Sequence, residues 1–214
     1  MEFEEFKHKI VKIKKMKLPG ESAQFKMAPK ERINELKKIA DVKKRAKKAG
    51  VLALFYPSVS KQTMFALILR KTYKGVHSAQ IGFPGGKFEA MDSSLRVTAL
   101  RETEEEIGVN QNKVTVLKKL TEVYIPPSNF LVSPFVAIDD FLPSFKEDPR
   151  EVKQHIEIPL HELIRLKVKQ TPLDEHLYKG VTVPSYVYQE HIIWGATAMI
   201  LSEFKVFLEY CALI

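Results

Sequence analysis

The sequence holds a single cysteine among its 214 residues. Cys211 has no second thiol with which to close an internal disulfide, so the chain is no disulfide scaffold and is expected in the cytoplasm, where thiols stay reduced. Its apolar C-terminal surroundings mark it as a small buried residue and not a nucleophile. No apolar run reaches the roughly 20 residues of a helical membrane span. The N-terminus is charged and amphipathic, unlike a signal peptide, so no membrane partner is expected. Internal repeats and low-complexity linkers are also missing. Acidic residues are in deficit: 34 Lys and Arg against 26 Asp and Glu give a net charge of +8. A basic surface concentrates polyanions, which fits a phosphate-rich small molecule and also fits nucleic acid. The run Lys43, Lys44, Arg45, Lys47, Lys48 has no interleaved aromatics to stack bases and reads as a solvated helix face, so nucleic acid is not the expected partner.

The length suits one sizeable core with a helical appendage. Residues 2–17 carry Phe3, Phe6, Ile10 and Ile13 at helical spacing, and Pro19-Gly20 ends that helix. A second helix is predicted from Pro29 to Lys48, with Ile33, Leu36, Ile39 and Ala40 as its stripe. Residues 1–50 thus form an N-terminal helical extension with too few apolar residues for a core of its own. It is expected to pack on the main domain, 51–214, or on a second subunit, which leaves a homodimer open. In the main domain, strands are predicted at Val51–Tyr56, Met64–Arg70, 77–83, Val114–Tyr124, Leu131–Ile138 and Val152–Ile158, with one or two more in Val181–Ile193. Helices are predicted at 160–166 and from Gly195 or Ala196 to Ala212. The order reads as a mixed sheet between helices.

One stretch carries chemistry. Residues 82–109 read GFPGGKFEAMDSSLRVTALRETEEEIGV. The Gly85-Gly86 turn leads into a helix capped by Asp92 or Ser93, with Val97, Leu100 and Ile107 as its core stripe. At 100° per residue, Glu102, Glu105 and Glu106 share one narrow face, and Glu104 points away. Like charges at i,i+3 and i,i+4 repel, and Glu105 and Glu106 sit at the helix end that favours cations. A solvated acidic face would explain neither the glycine turn nor Arg101 directly before Glu102. A cation offsetting both costs would, and an all-oxygen site suits Mg²⁺ or Mn²⁺.

The stretch resembles the Nudix box, whose pattern is Gly, five residues, Glu, seven residues, Arg-Glu, an apolar residue, any residue, Glu-Glu, any residue, Gly, apolar. Arg101, Glu102, Glu105, Glu106, Gly108 and Val109 match. Thr103 stands in the apolar place, Asp92 replaces the first Glu, and Gly86 to Arg101 is one residue longer. That insertion, often with Asp, is similar to the coenzyme A pyrophosphatase branch. Leu67-Ile68-Leu69-Arg70 and Phe83-Pro84-Gly85-Gly86 resemble the same branch, as do Glu151-Val152, Ile158-Pro159-Leu160 and Ile193 to Ala198. Two positions depart from its signature: Gly75 replaces a second arginine, beside Lys74, and Ala79 replaces a glycine.

The resemblance implies an α/β/α sandwich with a mixed sheet. It also implies metal-dependent hydrolysis of a nucleoside diphosphate derivative, coenzyme A or acyl-coenzyme A giving 3′,5′-ADP and 4′-phosphopantetheine. By that analogy Glu102 and Glu106 ligate the metal, Glu105 is a third ligand or the base, and the Gly86 carbonyl completes the shell. Arg101 pairs with Glu105. Glu151 is an outside candidate for the base, or a solvated loop carboxylate. Arg70, Lys74 and His77 are candidate substrate contacts. Tyr186, Tyr188 and Trp194 read first as packing. ADP-ribose, a dinucleotide or a damaged nucleoside triphosphate stay open as substrates. So does a different class, a non-catalytic nucleotide- or RNA-binding module, although three intact glutamates speak against it.

Overall fold

The computed structural model describes residues 1–29, 33, 45–72, 79–173 and 180–211. The alternation of side chains along two strands builds the architecture. In β1 (Lys47–Pro57), Leu52, Leu54 and Tyr56 face one apolar core, whereas Ala53 and Phe55 face another. In β2 (Thr63–Arg70), Ala66 and Ile68 face the first core and Phe65 and Leu67 the second. Strands buried on both faces need a layer on each side, and the result is an α/β/α sandwich.

β1 runs parallel to β7 (Phe130–Asp139) over nine residue pairs and antiparallel to β2 over only three. On the N-terminal side of Phe55 the two strands part. The gap is filled by β3 (Ile81–Gly82), which pairs with β2, and β4 (Gly85–Lys87), which pairs with β1. β5 (Val114–Lys119) and β6 (Val123–Ile125) pair with β7, and β8 (Val152–Pro159) pairs with the outer side of β2. The sheet is therefore mixed. A separate antiparallel sheet holds β9 (Lys169–Pro172), β10 (Thr182–Tyr188) and β11 (His191–Trp194).

α1 (Phe3–Ile10) and α5 (Gly195–Tyr210) share one core, where Phe6, Phe55 and Phe204 meet with ring centroids 5.0 Å apart from Phe55 to each, and α2 (Glu21–Gln24) packs on α5. The N-terminal extension thus packs on its own main domain, with Phe3, Phe6, Ile10 and Ile13 buried as their spacing predicts. α3 (Leu95–Ile107) covers the other face, and the short α4 (Leu160–Arg165) follows β8.

Several expectations need correction. The Pro29–Lys48 helix falls mainly outside the described residues, but Lys47 and Lys48 begin β1, paired with Phe130 and Leu131. Val114–Tyr124 is two strands, each paired to a different part of β7. β9 had no apolar alternation to announce it. In α3 the N-cap is Ser94, whose hydroxyl accepts from the Val97 N–H at 3.3 Å. The buried face is Thr98, Ala99, Thr103, Glu106 and Ile107; Leu100 is half-buried but packs against the same core, and only Val97 of the expected stripe stays out of it. The reason is close approach. A Cβ on Gly50 of β1 would lie 2.2 Å from the Leu95 carbonyl, so α3 sits directly on strand backbone and small residues must face it. Thr98 and Thr103 fit because their hydroxyls donate to Asp92 and to the Ala99 carbonyl.

Candidate active site

The parting of β1 and β2 places the glycine turn against the C-terminal half of α3. Gly85 has φ of +139° and lies so near β1 that a Cβ would meet the Gly50 carbonyl at 2.3 Å, so only glycine fits. Its N–H donates to Glu106 Oε2 at 2.7 Å, and its carbonyl accepts from Arg70 Nη2 at 2.8 Å. At Gly86 the neighbour is Glu102: a Cβ there would lie 2.3 Å from Oε2. The two glycines are thus the surface on which the two carboxylates rest.

Glu106 is 2% exposed, and its Oε1 is, among the described residues, the one buried side-chain N or O atom without a hydrogen-bond partner. Arg70 Nη2 lies 3.3 Å away as a charge, but its hydrogen bond goes to Gly85. Burial pushes the Glu106 carboxyl up to about 7, against the pull of Arg70 and the Gly85 N–H; the charges of Glu102 and Glu151 push it further. Burial also raises Glu102, opposed by Arg101 and aided by Glu105 and Glu151. Orphaned buried carboxylate oxygens are costly.

Arg101 organises the rim. Its Nε and Nη2 fork onto Asp92 at 2.9 and 3.0 Å, Nη2 also donates to Glu102 at 2.9 Å, and Nη1 donates to Glu105 at 2.9 Å. The guanidinium holds Asp92 well below the usual carboxylate range. Bidentate pairs of this kind fix geometry as well as charge. Glu105 is 58% exposed and is held at the rim by this contact. Glu104 is occupied elsewhere, accepting from Gln111 at 2.6 Å.

The end of α3 is fastened to the loop that carries Glu151. The Asp148 N–H donates to the Glu106 carbonyl and the Lys146 N–H to the Ile107 carbonyl, both at 2.9 Å. Glu151 itself is exposed, and its N–H donates to the Asp148 carbonyl. Its charge pushes up both Glu102 and Glu106.

The sequence profile of the NUDIX domain matches residues 46–180, which include this turn, helix and loop. The chain belongs to the Nudix family. It is 33% identical over 152 residues to a Photorhabdus laumondii protein named uncharacterized Nudix hydrolase NudL, covering 71% of this chain and 81% of that one. It is 37% identical over 152 residues to the Yersinia enterocolitica protein of the same name, covering 70% and 76%. Among solved structures, the fold is similar to the Mycobacterium smegmatis Nudix hydrolase RenU, with a TM-score of 0.52, 14% identity and coverage of 79% and 88%. It is also similar to a Caenorhabditis elegans Ap4A hydrolase, with a TM-score of 0.50, 16% identity and coverage of 77% and 98%. At these identities the structures speak for the fold alone.

Of the Nudix-box carboxylates, the structure brings Glu102 and Glu106 together against the glycine turn and turns Glu105 toward the rim. Among the described residues, no three acidic, histidine or cysteine side chains form a ready ligand cluster. A divalent cation fits the site on two observations: the orphaned Glu106 Oε1, and a donor set of hard oxygens. Arg70 is engaged with Gly85 and Glu106. Lys74 and His77 lie outside the described residues. Tyr186 and Tyr188 are buried packing residues. Ala79, in the place of the signature's glycine, keeps a glycine-like φ of +56°. Two roles escaped the sequence. Asp92 showed only as a motif departure and a cap, yet it anchors Arg101. The Arg70 contact to Glu106 joins residues far apart in the chain and has no local signal.

Among the described residues no helix is long and apolar enough to cross a membrane.

Proposed function

We propose that this Nudix protein hydrolyses the diphosphate of a nucleoside diphosphate derivative with Mg²⁺ or Mn²⁺. Coenzyme A or an acyl ester is the first substrate, giving 3′,5′-ADP and (acyl-)4′-phosphopantetheine. The observation that carries the reading is Glu106 Oε1, buried and without a hydrogen-bond partner beside Glu102 on a glycine turn. Glu102 and Glu106 would hold the cation, with Glu105 and the Gly86 carbonyl as further donors. A cation held there would neutralise the diphosphate and lower the pKa of the attacking water.

The chain's own residues do the rest. Arg101, braced by Asp92, fixes the carboxylates of Glu102 and Glu105. Arg70 fixes the glycine turn and balances Glu106, with Lys74 and His77 as further candidate substrate contacts. Glu151, whose charge reaches both Glu102 and Glu106, takes the proton as water attacks phosphorus; Glu105 is the other candidate. The P–O bond of the bridge breaks and its electron pair leaves with the departing phosphate. The lone buried thiol of Cys211 fits a cytoplasmic enzyme.

ADP-ribose or a dinucleotide is the second reading, favoured by Gly75 in the place of a signature arginine. A screen of nucleoside diphosphate derivatives with product identification decides between them. Release of 3′,5′-ADP from coenzyme A or an acyl ester at the highest kcat/KM is expected. Cleavage of ADP-ribose alone would keep the reaction class and overturn the substrate.

A further inference from the structure

A cavity of about 600 Å³ opens beside the glycine turn, within the size range of small-molecule sites. Its charged lining residues, Arg70 and Lys87, belong to the glycine-turn end: Arg70 bonds Gly85, and Lys87 follows Gly86. The remaining walls are largely apolar, among them Val51, Phe130, Val183 and Ile200. Gln80 and Trp194 also line it and neither is without a partner, and two further polar lining side chains are already engaged. The Tyr124 hydroxyl donates to Asn129 at 3.0 Å, and Thr197 Oγ1 donates to the Ile81 carbonyl at 2.9 Å.

One wall comes from outside the domain that the family shares. Ala28 and Pro29 belong to the N-terminal extension, and Val181, like Val183 and Ile200, lies beyond residues 46–180 on the other side. The extension is held firmly. Buried Glu203 on α5 accepts from the Gly20 N–H at 3.1 Å and from Gln24 Nε2 at 2.9 Å. Ser202 Oγ donates to the Ala23 carbonyl at 2.7 Å.

We propose that the N-terminal extension is a specificity element. Ala28 and Pro29 close a largely apolar chamber that takes the far end of the group beyond the diphosphate, and the chamber favours substrates in which that group carries an apolar chain, as the acyl esters of coenzyme A do, over those ending in a second nucleoside or a free ribose. A second nucleoside or a free ribose would leave hydroxyls and base edges facing hydrocarbon without partners, which is costly. An aliphatic chain leaves none. The inference rests on the diphosphate-hydrolase reading for its orientation, with the diphosphate at the glycine turn.

The test uses the full chain, Mg²⁺ and n-alkyl esters of ADP from methyl to octyl. kcat/KM is expected to rise by about two- to fourfold per methylene until the chamber is filled. Ala28→Phe and Val181→Trp should each cut the octyl-to-methyl ratio by about tenfold or more, a loss comparable to two methylenes. Val181 is 47% exposed and tolerates a larger side chain if Ala28→Phe misfolds. A flat chain-length profile, a preference for ADP-ribose or diadenosine diphosphate over the octyl ester, or an unchanged ratio in a folded variant would overturn the proposal. If no ester is hydrolysed, the functional reading fails and calorimetric binding of the same series decides this one. Affinity rising with chain length supports the apolar chamber, and flat affinity overturns it.

Discussion

At the scale of single residues the site concentrates its cost on Glu106. A carboxyl with a folded pKa of about 7 against an ordinary 4.5 binds its proton more tightly in the folded chain. The stabilisation this gives is fully present below pH 4.5 and is lost as pH rises through about 7. The metal-free protein should therefore lose on the order of 2–3 kcal/mol between pH 4.5 and pH 8, at 1.36 kcal/mol per pKa unit. Saturating Mg²⁺, bound only to the folded state, should remove most of that fall. Thermal melts across this range with Mg²⁺ and with chelator check it, and parallel curves would mean that the cation does not meet Glu106. Asp92 has the opposite character: paired with Arg101, it stays charged and serves as an anchor.

The elements explain why that carboxylate is buried at all. α3 lies against β1 because Gly50 has no side chain. Gly50→Ala would push a methyl into the Leu95 carbonyl and force the helix outward, at a cost of about 2–4 kcal/mol, the upper range for overpacking. Because α3 carries both carboxylates, metal affinity should fall with stability. Chemical denaturation and Mn²⁺ titration of the variant measure the two, and a variant as stable as the wild type would show that the helix has room to move.

Much of this element-level order was legible in the sequence. The period-two burial of β1 and β2, the helical stripe of Phe3, Phe6, Ile10 and Ile13, and the shared face of Glu102 and Glu106 are local patterns. What escaped depends on contacts that no local pattern carries. In the α3 stripe Leu100 and Ile107 meet the core, but apolar Val97 only looks like a core residue, and Thr98, Ala99 and Thr103 carry no apolar signal of comparable strength. The actual face is set by how near Gly50 lets the helix come. The outward turn of Glu105 depends on Arg101, which Asp92 holds in place. The split at Leu120–Glu122 follows from where β7 offers partners.

On the scale of the whole molecule, the N-terminal extension and α5 are joined through one buried carboxylate. Glu203 is fully buried and accepts hydrogen bonds from Gly20, Gln24 and both the N–H and hydroxyl of Thr121. Glu203→Ala would leave several of these donors without partners, at about 1–3 kcal/mol for each one that water cannot reach. We expect a loss of about 2–4 kcal/mol in total and earlier proteolytic cleavage within residues 1–29. Cleavage kinetics equal to those of the wild type would mean that the extension is held by its aromatic contacts alone.

The central claim is that Glu106 and Glu102 form a cation site that cuts a diphosphate. The most direct measurement is ³¹P NMR of coenzyme A turnover in ¹⁸O-enriched water, with Mg²⁺, for the wild type and for folded Glu106→Gln. The wild type should place ¹⁸O in one of the two phosphate monoesters at the broken bridge, leave the 3′-phosphate intact and stop in excess chelator. The variant should be slower by more than about a hundredfold, beyond the 10–100-fold scale of outer-shell substitutions. Inorganic phosphate as the labelled product, or a variant that turns over at the wild-type rate, would contradict the account.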